Sequence, residues 1–451
     1  MDPVFAIADA LSAIRVDALP ARTVTSARRL VLDSLAVALA GYGCRDVQVL
    51  AGLATGWGGR PESTILGSEL RVPAPVAALV NGTMIQALDF DDTHDPSGAH
   101  TASTVLAAAL AVAEARHRSG RDLIAAVTAG VELAGRIGLA CTDKIGWTST
   151  AVYGAFGAAA AAAHTLGLSA EQTRHALGIV ISQAAGTTQT AVDSPLSKHM
   201  QSGFAAKAGV VSALLAEQGV TGVDNVFEGK FGFFPLYKGN RYHLHPLVAE
   251  WGRHYEVDAL SLKPFPSCRA THAAIEAALA LAAGHPLRAA DVSRVRVVVP
   301  PVAYNLTGKP FVEGSNPMIS AQFSLQYTVA TALHHGSVSL RHFTLDAIRD
   351  SVVRTLMERI TVEVEDGQEF VPARVEVRTI SGRSLDHTVS ALKGGPDRPL
   401  TDDELLAKIE DCLAFAPPGT AVLDAKALQR RVEDLDTLTD VADLAGGLVH
   451  S

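Results

Sequence analysis

The chain has 451 residues, of which 48% are hydrophobic and 19% charged, and a formal net charge of −9. That length exceeds one ordinary core and predicts two domains, and the composition excludes a disordered chain. Net acidity without a basic stripe leaves no electrostatic footprint for nucleic acid, so an anionic ligand needs a local cationic pocket.

Four cysteines, Cys44, Cys141, Cys268 and Cys412, form no CxxC pair, which excludes a zinc ribbon or a disulfide framework. The opening MDPVFAIADALSAIRV has no basic region ahead of its apolar part, and no apolar run reads as a membrane span. A soluble, cytoplasmic protein without membrane partners is expected.

Helical periodicity dominates the chain to about residue 260. Thr25 and Ser26 precede the apolar positions Leu30, Val31, Leu35, Val37 and Leu39, and Gly41 closes the pattern as a C-cap does. A helix over 76–88 runs into Asp89-Phe90-Asp91-Asp92-Thr93-His94-Asp95, with His100 just beyond and a small-residue helix over 101–115. Unpaired charge is costly to bury, so this cluster between apolar helices points to a cleft that carries a site. The plainer alternative is that Asp89 to Asp92 cap the following helix.

Asp122 leads the next helical pattern, and Ser169-Ala170-Glu171-Gln172 is a capping box opening a helix through Ile181. A further helix spans 202–218. Gly130, Gly154 and Gly157 inside helical patterns predict close helix pairs, since interior glycine otherwise costs about 1 kcal/mol against alanine.

Beyond Pro264 the period changes. Residues 294–299, 360–364 and 373–380 alternate as strands do, and Ser381-Gly382-Arg383 reads as a hairpin turn into 386–390. Helical stretches over 271–283 and 323–335 lie between them. Thr401-Asp402-Asp403-Glu404 is another capping box, and the chain ends in helices. The fold class is therefore mainly α: an all-helical domain of residues 1–262 and 398–451, and a smaller α+β lid domain of residues 263–397.

Reactive groups concentrate in separate segments: 89–100, Ser197-Lys198-His199, Lys263-Pro264-Phe265-Pro266-Ser267-Cys268-Arg269-Ala270-Thr271-His272, and the run from Asn316 to Tyr327. Each has a plain reading: Lys198 as a solvated loop lysine, His272 as a helix-start residue, and Ser267 and Ser324 as caps. Asp91, Asp92, His94 and His100 could form a metal site, but HxxxH and HExxH spacing is missing, so no metal is expected. Neither GxGxxG after a strand nor GxxxxGK[ST] occurs, which leaves nucleotide cofactors unsupported, and GxSxG is absent as well.

Together the stretches NGTMIQALDFDDTH, FGAAAAAAHTLGLSAEQ, SKHMQSGFAAKAG with ALLAEQGVTG, KPFPSCRATHAAIEA and NPMISAQFSLQY resemble the MmgE/PrpD family, in the family's order. The resemblance implies a helical domain completed by the C-terminal helices, an α+β lid, a homodimer and no cofactor. It implies a lyase acting on a small di- or tricarboxylate, with 2-methylcitrate-type dehydration leading. Cis-aconitate-type decarboxylation and epimerisation are the alternatives, and a catalytically silent helical scaffold is the alternative of another class.

The family's active-site positions fall on Asp89, Thr93, His100, Lys198 and His272. Where the family commonly carries a histidine after Gly-Trp, an active-site residue of the decarboxylase, this chain has Thr148. It also has His100-Thr101-Ala102 in place of His-Pro-Ser. Members act next to carboxylates, so the chemistry needs a group that moves protons near neutral pH and cations that hold carboxylates and spread enolate charge. His100 and His272 are the candidates for proton transfer. Lys198 and Arg269 are the candidate cations. Asp89 and Thr93 would orient and polarise, Asp92 would set a histidine tautomer, and Ser267 and Thr148 would complete the substrate pocket.

Overall fold

Side-chain chemistry sets many of the helix ends. The computed structural model describes residues 1–142, 146–285, 288–420 and 423–448. Ser169 and Gln172 close a reciprocal capping box on helix Ala170–Val180, and Thr401 and Glu404 do the same on Asp402–Phe415. Helix Gly120–Ala140 begins at Ser119, whose side chain accepts from the Asp122 amide. Asp122 is thus the third residue of the helix, closing the box that Ser119 opens. Helix Ala21–Gly41 starts ahead of Thr25, and the Thr25 hydroxyl bonds back to the Ala21 carbonyl at 3.0 Å. That back-bond removes Thr25 as a cap.

Helices Ala74–Gln86, Ala102–Ala115, Gly120–Ala140, Ser149–Leu166 and Met200–Glu217 pack on one another to form the centre of the larger core. Glycines permit this closeness. A Cβ on Gly203 would lie 2.2 Å from the Leu79 carbonyl oxygen, and one on Gly130 would lie 2.6 Å from the Gly157 oxygen. Gly120–Ala140 is long and apolar enough to cross a membrane, which the sequence reading passed over, but that stretch is 94% buried inside the protein.

A small antiparallel pair, β1 (Ser63–Thr64) and β2 (Arg71–Val72), lies beside the helices. The main sheet has β3 (Val292–Val299) at its centre, parallel to β4 (Ile360–Val364) and antiparallel to β5 (Ala373–Thr379). β6 (Ser384–Val389) pairs with β5 at one edge. Alternation is visible in the burial of Ala373, Val375 and Val377, and helices His272–Gly284 and Leu325–His335 pack against the sheet.

Buried apolar residues fall into two clusters. One runs from Val4 to Leu262 and resumes through Leu340 and from Leu400 to Leu448, and the other runs from Ala270 to Val389. The polar segment 89–100 contacts both sides of this division. Gly203→Ala is expected to lower stability by about 1–3 kcal/mol through overpacking at Leu79. Denaturant unfolding read by circular dichroism checks this, and an unchanged midpoint would show that the helices can separate freely.

Candidate active site

Asp89 follows helix Ala74–Gln86 and adopts φ 52°, the left-handed region that aspartate tolerates better than most residues. Such a backbone persists only when its surroundings hold it. Here the Lys263 ammonium donates to the Asp89 carbonyl at 2.8 Å and to its carboxylate at 2.5 Å. The Lys198 ammonium bonds the other carboxylate oxygen at 3.0 Å and lies 4.6 Å over the Phe323 ring.

Lys263 also stands 3.6 Å from Asp91, whose Oδ1 is 3.2 Å from His100 Nδ1. The result is a stack: Lys198, Asp89, Lys263, Asp91, His100. Burial alone would raise both carboxyls. The nearby Lys198 and Lys263 nevertheless hold Asp89 well below the usual carboxylate range, and His100 and Lys263 hold Asp91 below it. Burial works against the Lys263 charge too, but Asp89 and Asp91 keep its pKa raised. The stack is buried at Asp91 and Lys263, while His100 and Lys198 side chains are 21% and 12% exposed. A ligand therefore meets His100 and Lys198 first. Such a site can hold an anion and move a proton.

Arg269 serves a different purpose from the one expected. Its Nε and Nη2 bond Asp95, Nη2 also reaches Ser261 Oγ at 3.1 Å, and Nη1 donates to the Lys393 carbonyl at 2.7 Å and to His272 Nδ1 at 3.3 Å. All five guanidinium N–H groups are engaged, so none remains for a substrate carboxylate. Thr93 and Ser261 exchange backbone hydrogen bonds of 2.8 Å in both directions, and Ser261 Oγ donates to Asp95 at 2.6 Å. The bridge ties segment 89–100 to Ser261, and the Arg269 clamp ties it onward to Lys393 and His272.

His272 is locked in the same clamp. An arginine can only donate, so Nδ1 accepts, and Nε2 must then carry the proton given to the Ser267 carbonyl at 3.1 Å. Burial first, then Arg269 and Lys263, hold its pKa well below the usual value. The ring is a neutral tether in this arrangement, and the proton-transfer role assigned from sequence has no free nitrogen to act through.

Asp92 caps helix Ala102–Ala115: it accepts from the Thr101 amide and hydroxyl at 3.0 and 2.7 Å and from the Ala102 amide at 3.0 Å. Asp91, one residue earlier, is the carboxylate beside His100, so the tautomer role passes to it. Ser267 is fully buried and paired with the Thr271 hydroxyl at 2.9 Å, out of reach of a ligand.

Thr93 is buried, and its hydroxyl has no hydrogen-bond partner. Thr148 is half-buried at the head of helix Ser149–Leu166, whose Thr150 accepts from the His100 amide at 3.0 Å. The helix that bears Thr148 thus touches His100.

The metal alternative also dissolves. His94 bonds Ser97 and Glu256, both at 2.9 Å, and Asp92 is spent on its cap. Asp89, Asp91 and His100 do bring ligand atoms within 4.8 Å of one another, but the Lys263 ammonium already stands against both carboxylates as a cation would.

Sequence reasoning missed Lys263, Asp91 as the partner of His100, Asp95 and Gln322. Gln322 lies in the Asn316–Tyr327 run and donates to the Leu88 carbonyl at 2.6 Å, holding the residue before Asp89. Lys263 opens the KPFPSCRATH stretch, and a lysine flanked by apolar residues was its signal.

A buried carboxylate–lysine stack that joins two clusters of the fold and opens on one histidine has the make-up of an enzyme site for a small anion. Residues 6–244 match the MmgE/PrpD N-terminal domain and residues 265–434 the MmgE/PrpD C-terminal domain, so the chain belongs to the MmgE/PrpD family.

The chain is 29% identical to the cis-aconitate decarboxylase-like protein oryM of Aspergillus oryzae, over 94% of this chain and 93% of that protein. It is 27% identical to the cis-aconitate decarboxylase of Homo sapiens, covering 98% of this chain and 94% of the relative. For the enzyme of that name from Aspergillus terreus the identity is 28%, with coverage of 96% and 93%.

Nitrogen-15 NMR at pH 5.5 is expected to show His272 as a neutral ring protonated on Nε2, since its pKa is depressed well below 6.5. An imidazolium signal there would restore His272 as a proton donor.

Proposed function

We propose that this MmgE/PrpD lyase decarboxylates a small unsaturated tricarboxylate of the cis-aconitate type. The observation that carries this reading is similarity along nearly the whole chain to proteins named cis-aconitate decarboxylases. The site's open end supplies the matching chemistry. Lys198 holds a substrate carboxylate, while Asp91 favours a proton on His100 Nδ1 and leaves Nε2 to transfer protons.

Loss of CO2 from a carboxymethyl group beside a C=C bond turns the breaking C–C pair into a new C=C bond. The pair of the old double bond then takes a proton from His100. Lys198 stabilises the charge that builds on the remaining carboxylates.

Thr148 favours a second reading. A hydroxyl cannot carry the positive charge that an imidazole can. A site with Thr148 holds one anionic group less firmly but can hydrogen-bond a neutral polar group, and so suits dehydration of a hydroxylated acid such as 2-methylcitrate. In either reading the active form is a homodimer. Exposed Phe204, Val220, Val223, Phe231 and Leu236, which cluster in one stretch of the chain, offer apolar surface for it.

Carbon-13 NMR of the protein with cis-aconitate in deuterated water tests the first reading: CO2 is released and one deuteron enters the product. Water loss from 2-methylcitrate without CO2 release would shift the assignment to dehydration, and inertness toward both acids would sink the enzyme reading. Thr148→His is expected to raise cis-aconitate turnover and to lower turnover of 2-methylcitrate. Lys198→Ala is expected to cut kcat/KM at least about tenfold, or ~1.4 kcal/mol of transition-state binding, with the melting temperature unchanged. Wild-type kinetics in that variant would make Lys198 a bystander.

A further inference from the structure

Helix Asp402–Phe415, near the far end of the chain, reaches the site segment through one side chain. Lys408 is 6% exposed, and its ammonium donates to the Phe90 carbonyl at 2.7 Å and lies 4.2 Å over the Phe90 ring. Its other polar partner among the described residues is Asp33 of helix Ala21–Gly41, at 2.6 Å.

Phe90 separates Asp89 from Asp91, and its carbonyl belongs to the peptide that leads into Asp91, so Lys408 grips the backbone directly ahead of that carboxylate. Lys263 grips the peptide before it, through the Asp89 carbonyl. The segment is thereby held by one ammonium on each of two successive carbonyls.

The Asp33–Lys408 pair is a costly way to stabilise a core. Burial pushes Asp33 up to about 6, against the pull of Lys408. Neutral groups of similar size commonly replace such pairs without loss of stability. A cation aimed at one backbone carbonyl does something an apolar pair cannot: it fixes that peptide's orientation.

We propose that Lys408 is a positioning residue that acts through the Phe90 carbonyl to hold the Asp91 carboxylate against His100. The proposal rests on the reading of His100 as the proton-transfer group. Stability and positioning separate in two double variants. D33N/K408M removes both charges and the donor. D33N/K408Q removes both charges and keeps an N–H for the Phe90 carbonyl.

The measurements are the melting temperature, kcat and KM for cis-aconitate, and the carbon-13 shift of the His100 ring, assigned by its loss in His100→Asn. D33N/K408M is expected to fold, to lose at least about tenfold in kcat with little change in KM, and to displace the His100 resonance. D33N/K408Q is expected to recover most of both. Wild-type kcat and His100 shift in folded D33N/K408M would overturn the proposal, as would a D33N/K408Q variant no better than it. Should the Met variant fail to fold, a His100 shift in the Gln variant far from that of wild type overturns it as well. Absence of wild-type turnover would instead count against the proposed function, and the His100 shifts would still decide the role of Lys408.

Discussion

The Lys263 ammonium, buried between Asp89 and Asp91, is the contact on which the site depends. Two carboxylates held this close and out of water cannot both stay ionised unless a cation stands between them. Lys263 supplies it, and its bond to the Asp89 carbonyl also holds the left-handed turn that aims the Asp89 carboxylate at Lys198. The stack is then balanced: two carboxylates face two ammonium groups. An anionic substrate gains attraction only when His100 takes a proton or when Lys198 turns from Asp89 toward the newcomer. Either event occurs at the solvent-facing end, where chemistry can take place, while the Lys263 end stays unchanged.

The Arg269 clamp shows the same separation between what reacts and what holds. Its fork spans Asp95, Ser261, the Lys393 carbonyl and His272, four groups from distinct parts of the chain. A planar guanidinium can satisfy all of them at once, which an ammonium of the same charge cannot. Arg269, one of the two candidate cations in the sequence, is thus fully committed to the fold.

Much of the architecture was legible in residue order. Strands Ile360–Val364 and Ala373–Thr379 follow from alternation, and the boxes at Ser169 and Thr401 fix the starts of their helices. The site region was legible from its density of polar groups between apolar helices. The pairings within it were not. Lys263 and Asp89 are 174 residues apart, as are Arg269 and Asp95, and no local pattern encodes which of several acids a distant cation will meet. Asp91 and Asp92 are neighbours of the same chemistry. Only their opposite directions along the backbone send one to His100 and the other to the helix cap. His272 looked reactive because it falls on an active-site position of the family, and its tethering comes from two partners that the fold alone brings to it.

Lys198 comes from the helical lobe, and Lys263 from the stretch that begins the lid, while the acids they neutralise lie on a single segment. No single one of these segments therefore carries a balanced set of charges by itself. Without Lys263, Asp89 and Asp91 would face one ammonium too few. The working charges of the site are in this sense shared property: they exist only where segment 89–100, Lys198 and Lys263, far apart in the chain, are all in place.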